Sequence, residues 1–549
     1  MKVVISCLNS KYVHASLSPW CLFAGIREFS KNKYDAVVIE STINGNSEDM
    51  AKKIISENPD IVAFSCYIWN ITKTLEICRM IKENHNCIIV LGGPEVAYRP
   101  ADIFGKYDFA DFVLSGEGEW TFPDFLDNLG GDLSLVSGLT FRKNGEIISV
   151  PEKEYSDTPP SPFTEEFFSN VGGRISYIET SRGCPYRCAF CLSGRCSPLR
   201  FFEIERVEED ILKLAKSGTQ TVKFVDRTFN ADYKRANEIL LFIKENYGRE
   251  IPDNVCFHFE IAGNILKKST IDILSSMPRG AVQLEIGMQS FNEETLRNIN
   301  RKTNTAKLLE NIKKLVSFGN MHIHIDLIAG LTGEGLQSFR NGFNTAYSLR
   351  AHMLQMGFLK LLHGADMREN AEKYPCTFID TPPYEVTSTP WLSSEEIAML
   401  KNCEDALDRL YNSGRFLLTL DYLIDEVGIE PFDVFSRFGN AVCGSKMRLS
   451  VYAEKLFEFF ADKCDKEILR EKILCDLLCC SSSVQIPDAL KIHDPLYKKA
   501  KKYFIENVDK SIKIAILYSQ NKIFAVNQTK EKNLHNRYEG EVFELDEIN

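Results

Sequence analysis

The stretch Thr180-Ser181-Arg182-Gly183-Cys184-Pro185-Tyr186-Arg187-Cys188-Ala189-Phe190-Cys191 sets three cysteines at the spacing C-x3-C-x2-C. With 17 cysteines in 549 residues, chance alone would produce that spacing about 0.016 times per chain. Structural zinc takes four ligands, usually as paired C-x2-C arms, and no second arm follows at finger spacing. Three closely spaced thiolates suit three irons of a [4Fe–4S] cluster and leave the fourth iron open to an exogenous ligand. Cys196 offers a competing closed arrangement with four thiolates, although Leu192-Ser193-Gly194-Arg195 is an unlike spacer.

Outward from that loop, strand patterns recur at 175–180, 221–229, 255–261, 281–289, 322–330 and 353–361, separated by helical stretches such as 207–216 and 232–247. That makes six β/α units, and assemblies of such units carry function at the carboxyl ends of their strands. Those ends hold Asp226-Arg227, Glu260, Glu285 through Gln289-Ser290, and Asp326 through Gly330. Glu260 and Glu285 sit inside apolar strands, where a carboxylate is costly unless paired. A salt bridge and a ligand contact explain them equally well.

The first 150 residues alternate strand and helix. Apolar runs at 2–8, 35–41, 60–67, 87–93 and 111–116, with helical patterns at 47–58 and 72–84 between them, read as a parallel sheet covered on both faces. In open sheets of this kind a ligand sits outside the carboxyl strand ends. Here those ends read Ser65-Cys66-Tyr67, Gly92-Gly93-Pro94-Glu95 and Ser115-Gly116-Glu117-Gly118-Glu119. Any one of these glycines alone is better read as a turn; together they point to a nucleotide-like ligand. Lys143-Asn144-Gly145 marks a hairpin turn that closes this part, and the proline-rich stretch 151–172 reads as a connection.

The cysteine loop after a strand, with an aromatic before its last cysteine, resembles the radical SAM superfamily. The resemblance implies that Cys184, Cys188 and Cys191 hold a [4Fe–4S] cluster whose open iron chelates S-adenosylmethionine, and that a 5′-deoxyadenosyl radical is then formed. Gly287-Met288-Gln289-Ser290 and Asp326-Leu327-Ile328-Ala329-Gly330-Leu331 resemble that family's fourth- and fifth-strand motifs, with Thr332 where relatives carry proline before Gly-Glu. Arg301 becomes a candidate for the S-adenosylmethionine carboxylate, a solvated arginine being the simpler reading. Asp226, Glu260, Glu285 and Gln289 join it as cofactor candidates, and Tyr186, His258 and His324 as groups that could handle a proton.

Beside such a barrel, the first 150 residues resemble the cobalamin (B12)-binding domain found N-terminal to many radical SAM enzymes. Gly92, Gly93, Gly116, Glu117 and Gly118 stand at the matching strand ends. The Asp-x-His-x-x-Gly motif that supplies a cobalt ligand elsewhere is absent, the loop after the second strand reading Ser41-Thr42-Ile43-Asn44-Gly45-Asn46. That implies binding without a histidine from this motif. His14 is a candidate group on the cobalt side, against solvation or a backbone bond, and Tyr67 and Trp69 could pack on the corrin face or into the core.

The expected architecture is α/β: a doubly wound, Rossmann-like domain over 1–150, a linker over 151–172, a partial (β/α)6 barrel over 173–365, and a mainly helical extension over 366–549 with a strand pair near 512–518 and 522–526. The extension resembles an uncharacterised segment of one subgroup of these proteins. Cys464, Cys475, Cys479 and Cys480 could hold a second cluster, but the four-residue spacing of Cys475 and Cys479 on an apolar helix favours core packing.

Composition bounds the rest. Apolar residues make up 44% and charged residues 26%, which is globular. A net charge of −11 argues against a nucleic-acid partner, a local patch at Lys498, Lys499, Lys501 and Lys502 aside. No uncharged apolar run is long enough to span a membrane, and Met1 to Cys7 reads straight into a strand without a leader cleavage site. Seventeen cysteines without a leader point to a reducing compartment, hence a cytoplasmic protein. The resulting expectation is a cobalamin-dependent radical SAM enzyme that methylates, or rearranges, an unactivated carbon of a substrate of unknown class, served by an external reductant such as flavodoxin or ferredoxin. A methylthiotransferase-like RNA modifier and a non-catalytic iron–sulfur or corrinoid electron carrier are the competing readings.

Overall fold

The computed structural model describes residues 1–195, 198–444, 446–480, 485–491, 495–509 and 511–545, so Cys196 lies outside the described residues. The chain divides into two units. The first comprises Met1–Glu285, Ile299–Thr303 and Leu359–Thr387; the second comprises Ile286–Asn298, Asn304–Phe358 and Ser388–Asn549.

The first unit opens with a seven-stranded sheet of order β2-β1-β3-β4-β5-β6-β7. Its strands are β1 (Lys2–Asn9), β2 (Asp35–Thr42), β3 (Ile61–Ser65), β4 (Ile88–Gly92), β5 (Phe112–Leu114), β6 (Leu139–Lys143) and β7 (Glu146–Ser149). Strands β1 to β5 are parallel, and the β6–β7 hairpin adds antiparallel to the β5 edge. Asn144 and Gly145, at φ 53° and 85°, make the hairpin turn, a left-handed pair that Asn-Gly accepts readily. Helices cover the sheet: Ser47–Ser56 starts where the Asn46 side chain accepts from the amides of Glu48 and Asp49. Val62, Phe64, Ile89 and Leu91 pack there against Met50, Ile54, Ile77 and Ile81. Each such burial is worth about 1.5–3 kcal/mol. Strand order reverses between β1 and β3, the place where doubly wound sheets open a crevice.

In the connection, Thr164 caps the helix Glu165–Val171, and Gly172 ends it at φ 54°. A second sheet then has the order β15-β14-β13-β12-β11-β8. It is built from β8 (Ser176–Ile178), β11 (Thr221–Phe224), β12 (Cys256–Ile261), β13 (Val282–Gln289), β14 (His322–Ala329) and β15 (Met353–Phe358), with the short ribbon β9 (Ser181–Arg182) and β10 (Arg200–Phe201) beside β8. Strand β11 lies parallel between β8 and β12, and β14 parallel to β15. The six strands expected from the pattern are all present. β11 stops at Phe224 rather than 229, because Asp226 turns aside to take hydrogen bonds from Thr180 and Ser181. The chain passes from the first unit to the second within β13.

The rest of the second unit is mainly helical. Ser393 and Glu396 form a reciprocal cap on the helix Ser394–Leu407. Near the C-terminus lies a three-stranded antiparallel sheet of β16 (Ile512–Leu517), β17 (Lys522–Asn527) and β18 (Gly540–Glu544). The pattern indicated the first two strands; β18 has only Val542 and Phe543 as apolar residues and gave no signal of its own. Cys475 and Cys479 are buried with Leu517, Phe524 and Val526, and the thiols of Cys464 and Cys480 donate to the carbonyls of Phe460 and Asp476. These cysteines are core and capping groups. No described helix is long and apolar enough to cross a membrane.

Asp476 is the most deeply buried of the charged groups in that interior. Asp476 is fully buried and accepts from Arg537 Nη2 at 2.8 Å, from the Thr419 amide and hydroxyl, and from the Leu418 amide. Replacing Arg537 by Leu strands this carboxylate. The Arg537→Leu chain is expected to lose about 3–5 kcal/mol of stability, read as a lowered urea midpoint for the transition that reports the second unit.

Candidate active site

Within the first unit, the carboxyl ends of β1, β3, β4 and β5 and those of β8, β11 and β12 line one cavity of about 910 Å³. Cys7 and Asn9 come from β1, Ser65 to Trp69 from the loop after β3, Gly92 to Glu95 from the loop after β4, and Gly116 to Glu119 from the loop after β5. Tyr177, Glu179, Val225, Arg227 and Glu260 form the wall opposite.

Local chemistry shapes the first wall. Asn70 pins the loop after β3: its carbonyl oxygen accepts from the Tyr67 amide, while its amide group donates to the carbonyls of Leu8 and Ser65. The rings of Tyr67 and Trp69 stack with centroids 4.5 Å apart and planes within 3°. Trp69 remains 47% exposed, so this platform is not core packing; it offers a flat apolar face to the cavity. Gly93, at φ 96°, lies so close to β3 that a Cβ would stand 2.6 Å from the Cys66 carbonyl. His14 takes part through Nδ1, 2.7 Å from the Tyr177 hydroxyl. Burial, with Lys223 and Lys11 nearby, lowers its pKa and keeps the ring neutral. After β4, Glu95 accepts from Tyr384 at 2.7 Å, and Arg99 donates to the same hydroxyl at 3.0 Å. This holds the segment Leu359–Thr387 beside the cavity.

A half-buried ion network, with Glu119 as its buried member, ties the two walls together. Arg182, just before Gly183-Cys184, pairs with Glu117, Glu119 and Glu179, and Glu117 also takes Arg200 Nη2 at 2.7 Å. Burial pulls the Arg182 pKa down, but the charges of Glu119 and Glu179 outweigh it and leave the guanidinium firmly protonated. Burial likewise raises Glu119, and Arg182 reverses that, so its carboxyl sits below the usual range. Glu117, expected from the sequence as a cofactor contact, lines the cavity and pairs there with two guanidiniums.

Asp226, also expected to meet a cofactor, is 2% exposed and is not part of the cavity wall. It accepts from the Thr180 amide at 3.0 Å and the Thr180 hydroxyl at 2.6 Å, and from the Ser181 hydroxyl. Burial raises its pKa to about 6 against the pull of those bonds. It therefore holds the start of the cysteine loop. Among the described residues all cysteines are free. Cys184 lies 3.6 Å from the Thr228 hydroxyl, and Arg301 Nη1 lies 3.7 Å from Cys188 Sγ, placing that arginine against the cysteine loop. Within the loop the Cys191 amide donates to the Cys188 carbonyl, and the Ala189 amide donates to the Ile299 carbonyl, which brings the loop and the 299–303 segment together.

The histidine candidates point elsewhere. His258 Nε2 is 3.0 Å from Glu285, and His324 Nε2 is 2.9 Å from Asp326. Both pairs lie within strands, and neither imidazole lines the cavity. Tyr186 is half-buried, its pKa raised by burial, and is also outside the wall. Gln289 ends β13 at φ 68°, a left-handed conformation costly for a residue with a Cβ. Glu260 lines the cavity. In the second unit, Glu334 is 1% exposed, accepts from Ser290 at 2.6 Å, and leaves Oε2 without a hydrogen bond among the described residues. Burial raises its pKa to about 7. Sequence reading passed over Arg182, Glu179, Tyr384 and Glu334. Their partners are too distant in the chain to be paired from one sequence, and only the Gly-Glu step at 333–334 carried a signal.

Three families match the chain. The B12 binding domain matches residues 23–126, the radical SAM superfamily residues 178–344, and a family described as protein of unknown function (DUF4080) residues 372–549. The chain thus carries a B12-binding domain, then a radical SAM domain, then a third domain. The domains imply S-adenosylmethionine, a [4Fe–4S] cluster and cobalamin. The three cysteines on one loop fit the cluster, and the open apolar platform above glycine strand ends fits a corrin. Among similar proteins, 2-(S-pantetheinyl)-carbapenam-3-carboxylate methyltransferase of Streptantibioticus cattleyicolor is 29% identical over 54% of this chain and 46% of its own length. The cobalamin-dependent radical SAM methyltransferase TokK of Streptomyces tokunonensis is 29% identical over 64% of this chain and 54% of its own. The chain spans about half the length of these curated relatives. The fold is that of TsrM, a radical S-adenosylmethionine methyltransferase from Kitasatospora setae, with a TM-score of 0.56 at 16% identity over 70% of this chain and 78% of that one.

Two substitutions test the electrostatics. Arg182→Met leaves Glu119 buried without its cation; the expected result is a loss of about 3–5 kcal/mol in the first unit with reduced cobalamin retention after gel filtration. Glu334→Gln tests the raised carboxyl. Because the folded pKa lies above the unfolded one, this group stabilises the fold below about pH 4.5, and that contribution disappears as pH rises through about 7. Across that window the unsubstituted chain should lose about 3 kcal/mol relative to Glu334→Gln, seen as diverging urea midpoints in a pH series.

Proposed function

We propose that the protein is a cobalamin-dependent radical SAM methyltransferase acting on an unactivated carbon of a substrate still to be identified. One observation carries this reading: a single cavity is walled on one side by the strand ends of the B12-binding domain and on the other by the first strand ends of the radical SAM domain. The names of the carbapenam enzyme and of TokK support methyl transfer as the outcome.

Cys184, Cys188 and Cys191 would hold the cluster, with Arg301 against Cys188 and Asp226 fixing the loop's entry. Gly92, Gly93, Gly116 and Gly118 would let the corrin approach the backbone, and Tyr67 and Trp69 would carry its face. When bound, the cluster and S-adenosylmethionine supply a 5′-deoxyadenosyl radical, and cobalamin supplies the methyl group. The chain's own work is to orient and to exclude water. The Arg182 network fixes the separation of the two loops, and neutral His14 with Tyr177 gives a hydrogen-bonded pair that can hold or pass one proton at the cavity wall. We place residues 1–150 and 173–365 in these two roles, the protein in the cytoplasm, and a flavodoxin or ferredoxin as the electron donor; the free cysteines support a reducing compartment.

Anaerobically reconstituted protein given dithionite and S-adenosylmethionine is expected to release 5′-deoxyadenosine and to retain a corrinoid spectrum after hydroxocobalamin is added. Cys188→Ala should lose the cluster's iron and the deoxyadenosine together. Deoxyadenosine without bound corrinoid removes cobalamin as methyl donor. An intact cluster that yields none, and that is lost in Cys196→Ala, returns the protein to an electron-carrier role.

A further inference from the structure

Arg227 stands at the carboxyl end of β11, exposed to the cavity. The other charges of the wall have partners, Glu260 at the neighbouring strand end among them. Arg182 is surrounded by Glu117, Glu119 and Glu179, Glu95 accepts from Tyr384, and His14 is bonded to Tyr177 and held neutral. Among the described residues Arg227 pairs with no carboxylate and donates no hydrogen bond. Across the cavity its charge reaches the phenol of Tyr67, whose pKa burial raises first of all. The cation thus looks from the barrel side towards the aromatic platform of the B12-binding side.

A guanidinium that loses its water when a cavity fills must gain an anion or cost free energy. Resting on the proposed function, the occupants can be sorted by charge. The carboxylate of S-adenosylmethionine is consumed in chelating iron, the corrin edge is lined by neutral amides, and the one anion of cobalamin is the phosphodiester of its nucleotide tail, not of the corrin that faces the cavity. The remaining ligand is the substrate. From this we infer that Arg227 is a specificity-determining residue that binds an oxyanion, a carboxylate or a phosphate, on the substrate, setting the reacting carbon between the radical source and the corrin. The planar five-donor fork of arginine suits two-point binding of either group.

The test uses the full chain loaded with cluster and hydroxocobalamin, with malonate and pyrophosphate as probes in equilibrium dialysis. The unsubstituted protein is expected to bind at least one of them, and Arg227→Gln to bind it about tenfold or more weakly. Arg227→Lys should keep part of the affinity. Malonate binding assigns a carboxylate substrate and pyrophosphate binding a phosphorylated one. Equal affinity in Arg227→Gln, or no binding of either anion by the unsubstituted protein, overturns the inference. So does a Gln variant that loses cobalamin, whose own phosphodiester would then be the partner, or one in which S-adenosylmethionine no longer perturbs the reduced cluster's EPR signal. Binding of S-adenosylmethionine and cobalamin by the unsubstituted chain tests the underlying reading, and the affinity ratio between Arg227 and its Gln variant tests the inference itself.

Discussion

One partly buried guanidinium, held among three carboxylates, sets the geometry on which the rest of the site depends. Arg182 sits two residues before Cys184, Glu117 and Glu119 sit where the chain leaves β5 for the next helix, and Glu179 directly follows β8. A buried ion group of this kind adds little net stability compared with apolar packing, yet it tolerates very few arrangements, because every partner left unpaired is costly. Here that intolerance falls at the point where chemistry would require two bulky groups to be held at a constant separation. Arg200 extends the network through Glu117, so the β9–β10 ribbon that brackets the cysteine loop is bound into the same set of charges.

Desolvation works differently on the carboxyls that have no cation. Asp226 and Glu334 are buried against hydroxyl and amide donors alone, and both have raised pKa values. Asp226 uses three hydrogen bonds to hold the strand-to-loop turn from which the cysteines hang. Glu334 bonds to Ser290 across the ends of β13 and β14. Each fastens one strand end to its neighbour at the face where barrels carry function, using a group whose protonation can follow its surroundings. The imidazoles of His258 and His324 are likewise absorbed by adjacent carboxylates in their strands, and the histidine that does line the cavity is His14, bonded to Tyr177.

The cavity wall is chemically divided. One side offers stacked rings and glycines, suited to a large flat ligand; the other offers polar strand ends. Arg227, a cation without an ion-paired carboxylate, stands on the polar side, and charge is what a polar substrate can be sorted by when apolar contacts discriminate weakly.

The sequence alone was sufficient for the cluster motif, for the alternation of strand and helix in the first 365 residues, and for the helical character of most of the C-terminal third. These are local signals: a three-cysteine spacing, apolar runs of strand length, an Asn-Gly turn, an asparagine before a helix. It also reached the glycine strand ends, since φ 96° at Gly93 and φ 82° at Gly116 are conformations that glycine adopts without strain. Tertiary structure alone decided the rest. Glu117 and Asp226 looked like ligand contacts at strand ends, but what each carboxylate meets depends on distant partners, a guanidinium 65 residues away for Glu117 and the Thr180 amide 46 residues away for Asp226. Cys475 and Cys479 became core when β16 and β17 packed over them. The division follows from range: periodicity and backbone preference are written within a few residues, whereas the pairing of buried charges is settled only when distant segments share a low-dielectric interior.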